Sequence, residues 1–92
     1  MAQVTVYWRP GCSFCWSLRR ALQRAGVEAV ERNIWDDADA AGFVRSATGG
    51  DETVPTVDID GRVMVNPRPK QVLAALGLSQ PSVLDRLLRR AT

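Results

Sequence analysis

Apolar and polar residues alternate from Val4 to Trp8, the period-two pattern of a strand with one buried face. Arg9-Pro10-Gly11 breaks the alternation. Phe14, Leu18, Ala21, Leu22 and Ala25 then recur at helical spacing, and Gly26 is placed to end that helix. Alternation returns over Val27 to Ile34, which predicts a second strand. Ala40, Ala41, Phe43, Val44 and Ala47 form a second helical stripe, capped by Asp36 or Asp37 and ended by Gly49-Gly50. Val54 to Ile59 reads as a third strand, entered through Pro55. Asp60-Gly61 is a two-residue hairpin signal, and Arg62 to Val65 is the return strand. Asn66-Pro67 is expected to start a third helix, with Asn as its cap and Pro in its first turn. Val72, Leu73 and Leu76 supply that helix's apolar face, and Gly77 stops it. Past Leu78-Ser79-Gln80-Pro81, a variant capping box at Ser82 to Asp85 opens a short amphipathic helix. Its Val83, Leu84, Leu87 and Leu88 are expected to fold back on the domain, with Arg86, Arg89 and Arg90 facing water.

The order is therefore βαβαββα, an α/β chain. Two strands joined through a helix are expected to be parallel, with a right-handed crossover, and the hairpin adds an antiparallel pair. The outcome is a four-stranded mixed sheet flanked by helices, the thioredoxin-like fold, plus a short C-terminal helix. Ninety-two residues at 46% hydrophobic content allow one domain with a modest core. The domain is assigned to residues 1–78 and the helical extension to 79–92. A net charge of +2 is too small to imply a nucleic-acid partner. No apolar run is long enough to cross a bilayer, so no membrane partner is expected.

Chemistry enters at Cys12-Ser13-Phe14-Cys15, on the turn between the first strand and the first helix. These are the only two cysteines, and there is no histidine. A Cys-x-x-Cys beside a βαβ pattern reads as a redox pair. Disulfide exchange needs a thiolate, and the first turn of a helix offers unpaired N–H groups and the positive end of the dipole. Arg9, three residues upstream, adds a positive charge. Cys12 is thus read as the nucleophile, ionising below the ordinary thiol value of about 8.5. Cys15, one turn on and on the same face, is placed to resolve a mixed disulfide on Cys12. No metal is expected, because half a zinc site would need two further ligands from carboxylates or a second copy. With no secretory leader, the pair is expected in the cytoplasm, where cysteines stay reduced unless they are working.

Three segments carry a family resemblance: Trp8-Arg9-Pro10-Gly11-Cys12-Ser13-Phe14-Cys15, Gly49-Gly50-Asp51-Glu52-Thr53-Val54-Pro55-Thr56-Val57, and Val65-Asn66-Pro67. In these the chain resembles the glutaredoxins, most of all the mycoredoxins of actinobacteria. The resemblance implies that Pro55 is a cis proline lying against the Cys12 sulfur. It also implies that the backbone of Val54 pairs with a bound thiol. A trans proline at a strand start is the alternative. The thiol would lie against Arg9, Phe14, Thr53, Val54, Pro55, Asn66 and Pro67. Arg9 would steady the thiolate or meet an anionic ligand, unless it is only a solvated turn residue. Asn66 would meet the ligand, unless it is only a helix cap. Trp8 and Trp16 are read as packing and rim residues. Arg19, Arg20 and Arg24 mark the wet face of the first helix, a face open to acidic clients.

One departure bears on the thiol. Glutathione-using glutaredoxins usually carry a Gly-Gly-x-Asp element after the hairpin, whereas this chain reads Val65-Asn66-Pro67-Arg68. That favours mycothiol, a sugar-based thiol, as co-substrate over glutathione. No permanently bound cofactor is then needed. The implied partners are a low-molecular-weight thiol, its reductase and thiolated client proteins, with the chain a monomer. Three rivals stand beside this reading. One is a glutathione-dependent glutaredoxin. Another is a thioredoxin-reductase-fed electron donor to ribonucleotide reductase, although such redoxins usually end in a Trp-x-Gly-Phe-Arg-Pro element that this chain lacks. The third is a carrier of a [2Fe–2S] cluster held between two subunits through Cys12, suggested by Ser13 after the first cysteine.

Overall fold

The computed structural model describes residues 3–77. The expected helix within 79–92 and the boundary at residue 78 lie outside the described residues. Strand β1 (Val4–Trp8) occupies the middle of the sheet, because both of its edges are paired. It runs parallel to β2 (Ala29–Asn33), with Val4 opposite Ala29 and Trp8 opposite Asn33. On its other edge it runs antiparallel to β3 (Thr56–Ile59), with Val4 opposite Ile59 and Tyr7 opposite Thr56. Strand β4 (Arg62–Val65) closes an antiparallel hairpin on β3, giving the order β2-β1-β3-β4. Asp60 and Gly61 both take positive φ, 51° and 91°, as a type I′ turn requires. The Asp58 carboxylate accepts the Gly61 N–H at 2.7 Å and holds that turn.

Helix α1 (Ser13–Arg24) packs Leu18 and Leu22 on one face of the sheet, against Val4, Val6, Val57 and Ile59. Helix α3 (Pro69–Ala75) adds Val72 and Leu73 to the same cluster. Helix α2 (Ala38–Thr48) covers the opposite face, where Ala40, Ala41 and Val44 meet Tyr7 and Ile34. The alternation of β1 thus divides between two cores, with Val4 and Val6 in one and Tyr7 in the other. This is the expected α/β arrangement of helices on both faces of a mixed sheet.

Two element boundaries differ from the sequence reading. The second strand begins at Ala29 and not at Val27. Val27 closes the end of α1: its N–H donates to Leu22 C=O at 2.9 Å, while the Gly26 N–H donates to Gln23 C=O at 3.1 Å. That pair of bonds, with Gly26 at φ 75°, is a Schellman stop, and it takes the N–H that a strand would need. The third helix begins at Pro69 with Arg68 as its cap, so Asn66 is not a cap and Pro67 is not in the first turn. Each residue that precedes a proline is pushed away from helical geometry, and Arg68 is extended at φ −79°, ψ 153°. Pro69 takes the first helical position, and the Gln71 side chain accepts the Arg68 N–H at 2.8 Å. Asn66 instead takes a left-handed turn, φ 50°.

Asp37 proves to be the cap of α2, its carboxylate accepting the Ala40 N–H at 3.1 Å. The Arg32 guanidinium at 2.6 Å, with the Ala40 N–H behind it, holds this carboxyl below its usual 3.8. A carboxyl depressed by folding contributes stability above its unfolded pKa and loses it as pH falls through the folded one. Asp37→Asn keeps a capping oxygen but removes the charge. The urea midpoints of wild type and Asp37→Asn should therefore differ above about pH 4 and converge below it. The gap will be small, since both side chains are about one-third exposed. A constant gap down to strong acid would assign the role of Asp37 to geometry and not to charge.

Candidate active site

Gly11 makes the turn out of β1 with φ 79°, a conformation glycine adopts without a Cβ penalty. The chain then enters α1 through Cys12, extended at φ −92°, ψ 106°. Cys12 is thus the cap residue of the helix. Its sulfur accepts the Cys15 N–H at 3.2 Å, and its carbonyl accepts the Trp16 N–H at 3.1 Å. No acidic residue occupies the first turn of α1. A negative charge forming on Cys12 Sγ therefore meets a hydrogen-bond donor and the positive helix end, with no carboxylate beside it in that turn.

Cys12 and Cys15 are joined as a disulfide, their Cα atoms 5.2 Å apart. Their surroundings differ. Cys15 is 1% exposed, whereas Cys12 is partly open to solvent. An incoming disulfide can reach the first sulfur and not the second.

The other wall of the site comes from the approach to β3. The Val54–Pro55 bond is cis, as the resemblance implies, and Pro55 is buried. Cys12 Sγ lies 3.9 Å from the Val54 carbonyl oxygen, across 42 residues of sequence. The expected strand from Val54 starts only at Thr56. Pro55 has no N–H for the ladder, so the Val54 backbone stays outside the sheet, beside the sulfur. The segment is tied down at both ends. The Thr56 hydroxyl, wholly buried, donates to Thr53 C=O at 2.8 Å. The Asn66 N–H donates to Pro55 C=O at 2.8 Å. Asn66 therefore joins the site by fixing Pro55 through its backbone, and its side chain is free of any capping duty. Pro67 is buried behind it, and Phe14 stands 73% exposed on the first turn of α1.

Arg9 is exposed, with its guanidinium over the Trp35 ring at 5.9 Å. Trp35 is a rim residue that the sequence reading does not single out. It is 64% exposed and sits in the loop after β2. Its N–H donates to the Asn33 side chain at 2.9 Å, and the Ile34 N–H donates to Trp8 C=O at 2.9 Å. The second bond ties the end of β2 to the start of the Cys12 loop. The signal available in the sequence was a large aromatic set among Asn33, Asp36 and Asp37, where a solvent loop has no packing use for one.

An accessible sulfur at a helix N-terminus, bonded to a buried partner one turn away, exchanges electrons with other disulfides. The protein is a thiol–disulfide oxidoreductase. It belongs to the glutaredoxin family, whose sequence profile matches residues 4–64. A Mycobacterium tuberculosis protein assigned to the glutaredoxins is 38% identical over 76 residues, covering 82% of this chain and 90% of that one. Mycoredoxin 1 of Corynebacterium glutamicum is 31% identical over 77 residues, covering 83% and 95%. Among solved structures, the glutaredoxin-like NrdH-redoxin of Escherichia coli superposes with a TM-score of 0.68 at 25% identity, over 78% of this chain and 92% of that one.

Proposed function

We propose that the protein removes mycothiol from mixed disulfides on client proteins in the cytoplasm. The observation that carries the catalytic part is the contrast between the two sulfurs: Cys12 open at the helix cap, Cys15 1% exposed behind it. The Cys12 thiolate attacks the mycothiol sulfur of the mixed disulfide. A Cys12–mycothiol disulfide forms, and the client leaves as a thiolate. A second mycothiol thiolate then attacks the mycothiol sulfur, releasing mycothiol disulfide and returning the Cys12 thiolate. Alternatively Cys15 attacks Cys12 and expels mycothiol, leaving the intramolecular disulfide. No general acid is required, because each leaving sulfur departs as an anion. In the second route the Cys15 thiol gives up its proton, which the departing mycothiol thiolate or water takes, as its sulfur attacks Cys12.

The Val54 carbonyl, 3.9 Å from Cys12 Sγ, is placed to receive an N–H of the amide part of the bound thiol. Arg9, Phe14, Thr53, Pro55, Asn66 and Pro67 complete the binding surface in this reading. The choice of mycothiol rests on the likeness to mycoredoxin 1 and on the chain after β4. There Val65-Asn66-Pro67-Arg68 stands in place of the acidic element of glutathione users, and the helix cap is a cation, Arg68. The test is turnover of one mixed-disulfide substrate with mycothiol and its reductase, beside the same assay with glutathione and its reductase. Turnover with mycothiol alone supports the reading. Equal turnover with glutathione would return the protein to the general glutaredoxins.

A further inference from the structure

The outer face of α1 carries a groove of about 440 Å³, lined by Trp16, Arg19, Arg20, Gln23 and Arg24. Among the described residues, no carboxylate lines it. At about 3.6 residues per turn, Trp16, Arg19 and Gln23 return to within about 40° of the side of Cys12, while Arg20 and Arg24 lie about 80° and 120° round the helix from it. The groove therefore begins at Trp16, one turn from the redox sulfur, and winds partly round the helix as it runs toward Arg24. Trp16 is 58% exposed, with the Arg20 guanidinium 5.1 Å from its ring. Arg19 is already engaged, stacked on Trp8 at 4.3 Å and paired with Glu31 at 2.5 Å. Arg20 and Arg24 form no ion pair among the described residues. Like charges four apart on a helix repel, so nothing within α1 itself favours this pairing. An exposed indole under one such cation, with the second about one helical turn further on, suits an acidic segment with some apolar content. A second copy would bring the same cations to the same face. Residues 79–92 carry Arg86, Arg89 and Arg90 against Asp85 alone, so their charge does not fit either.

We propose that this face of α1 docks an acidic segment of the client protein while the client's cysteine, still bonded to mycothiol, is presented to Cys12. The inference rests on the reading that client disulfides are attacked at Cys12. Its register follows from helix geometry. Arg20 and Arg24 lie about 12 and 18 Å along the axis from Cys12 at 1.5 Å per residue. An extended client chain covers about 3.3 Å per residue, so its acidic side chains fall about four to six residues from the disulfide-bonded cysteine.

The test is a single-turnover reaction of the reduced full-length protein. The substrates are two peptide–mycothiol disulfides carrying three Asp or three Lys at those positions, with bis(2-hydroxyethyl) disulfide as an uncharged control. In each reaction Cys12 and Cys15 supply two electrons and end as their disulfide. Wild type should reduce the Asp peptide about tenfold faster than the Lys peptide at low salt. That ratio should shrink at about 0.5 M salt, where the screening length is only a few ångströms. It should invert in Arg20→Glu/Arg24→Glu and fall to an intermediate value in Arg20→Gln, with the rate on the uncharged control unchanged in both. An Asp-to-Lys ratio in the double variant equal to that of wild type overturns the proposal. Failure of wild type to reduce even the uncharged control would instead overturn the catalytic reading, and the docking proposal with it.

Discussion

Cys12→Ser will lower turnover of a mixed disulfide by about a thousandfold or more, the scale seen when a covalent nucleophile is removed. Cys15→Ser will keep turnover of the same order as wild type with a low-molecular-weight thiol as reductant. The difference follows from geometry. Cys12 is the partly exposed sulfur, it accepts the Cys15 backbone N–H at 3.2 Å, and it lies beside the Val54 carbonyl. The Cys15→Ser substitution leaves that backbone donor in place. A serine hydroxyl at position 12 is nearly as large as the thiol but does not ionise in the working range. Cys15, 1% exposed, cannot take over the attack on a bulky disulfide. The measurement is steady-state turnover of the three proteins, with trapping of the Cys12 adduct by mass spectrometry. An active Cys12→Ser protein, or an adduct on Cys15, would reverse the two roles. A Cys15→Ser protein as inactive as Cys12→Ser would make the two-cysteine route obligatory.

Leu18→Ala will destabilise the protein by about 3 kcal/mol, in the lower half of the range for emptying a fully buried leucine site. Leu18 is 0% exposed and packs within the cluster of Val4, Val6, Leu22, Val57, Ile59, Val72 and Leu73. That cluster draws on β1, β3, α1 and α3 together, so the lost methyl groups leave a cavity that no single element can collapse to fill. Domains of this size are stable by only about 5–15 kcal/mol. The same loss should lower Tm by about 15 °C. Val63→Thr is the control. Val63 is 38% exposed on β4, and a β-branched replacement keeps the strand preference, so its effect should stay within about 0.5 kcal/mol. Urea unfolding of the three proteins checks the pair. A Leu18→Ala loss as small as that of Val63→Thr would mean that α1 is not held by this core.

Much of the fold was legible because its rules act over a few residues. Alternation in Val4 to Trp8, the four-residue recurrence of Leu18 and Leu22, and the Asp60-Gly61 turn each state a local geometry. Where the reading went astray, two local signals competed. Val27 continues an alternating pattern but also follows Gly26, and the helix stop took its N–H. Asn66-Pro67 and Arg68-Pro69 are both plausible starts for α3. The second won, because Asn66 N–H is bonded to Pro55 C=O across the site. Trp35 gave no periodic signal, since its partner Arg9 lies on a loop that only the β1–β2 pairing brings alongside.

The amino-acid order by itself determined the reactive pair. Two cysteines three residues apart at a helix start are one turn apart in any protein that forms the helix, and the cap geometry follows from φ and ψ at a single residue. Only the tertiary structure decided which sulfur faces water, and what stands opposite it. Val54 and Pro55 reach Cys12 across 42 residues because β3 pairs with the other edge of β1, and Asn66 reaches Pro55 because β4 folds back on β3. Those meetings depend on sheet order and on burial of two separate cores, energies summed over the whole chain that no short window of sequence contains.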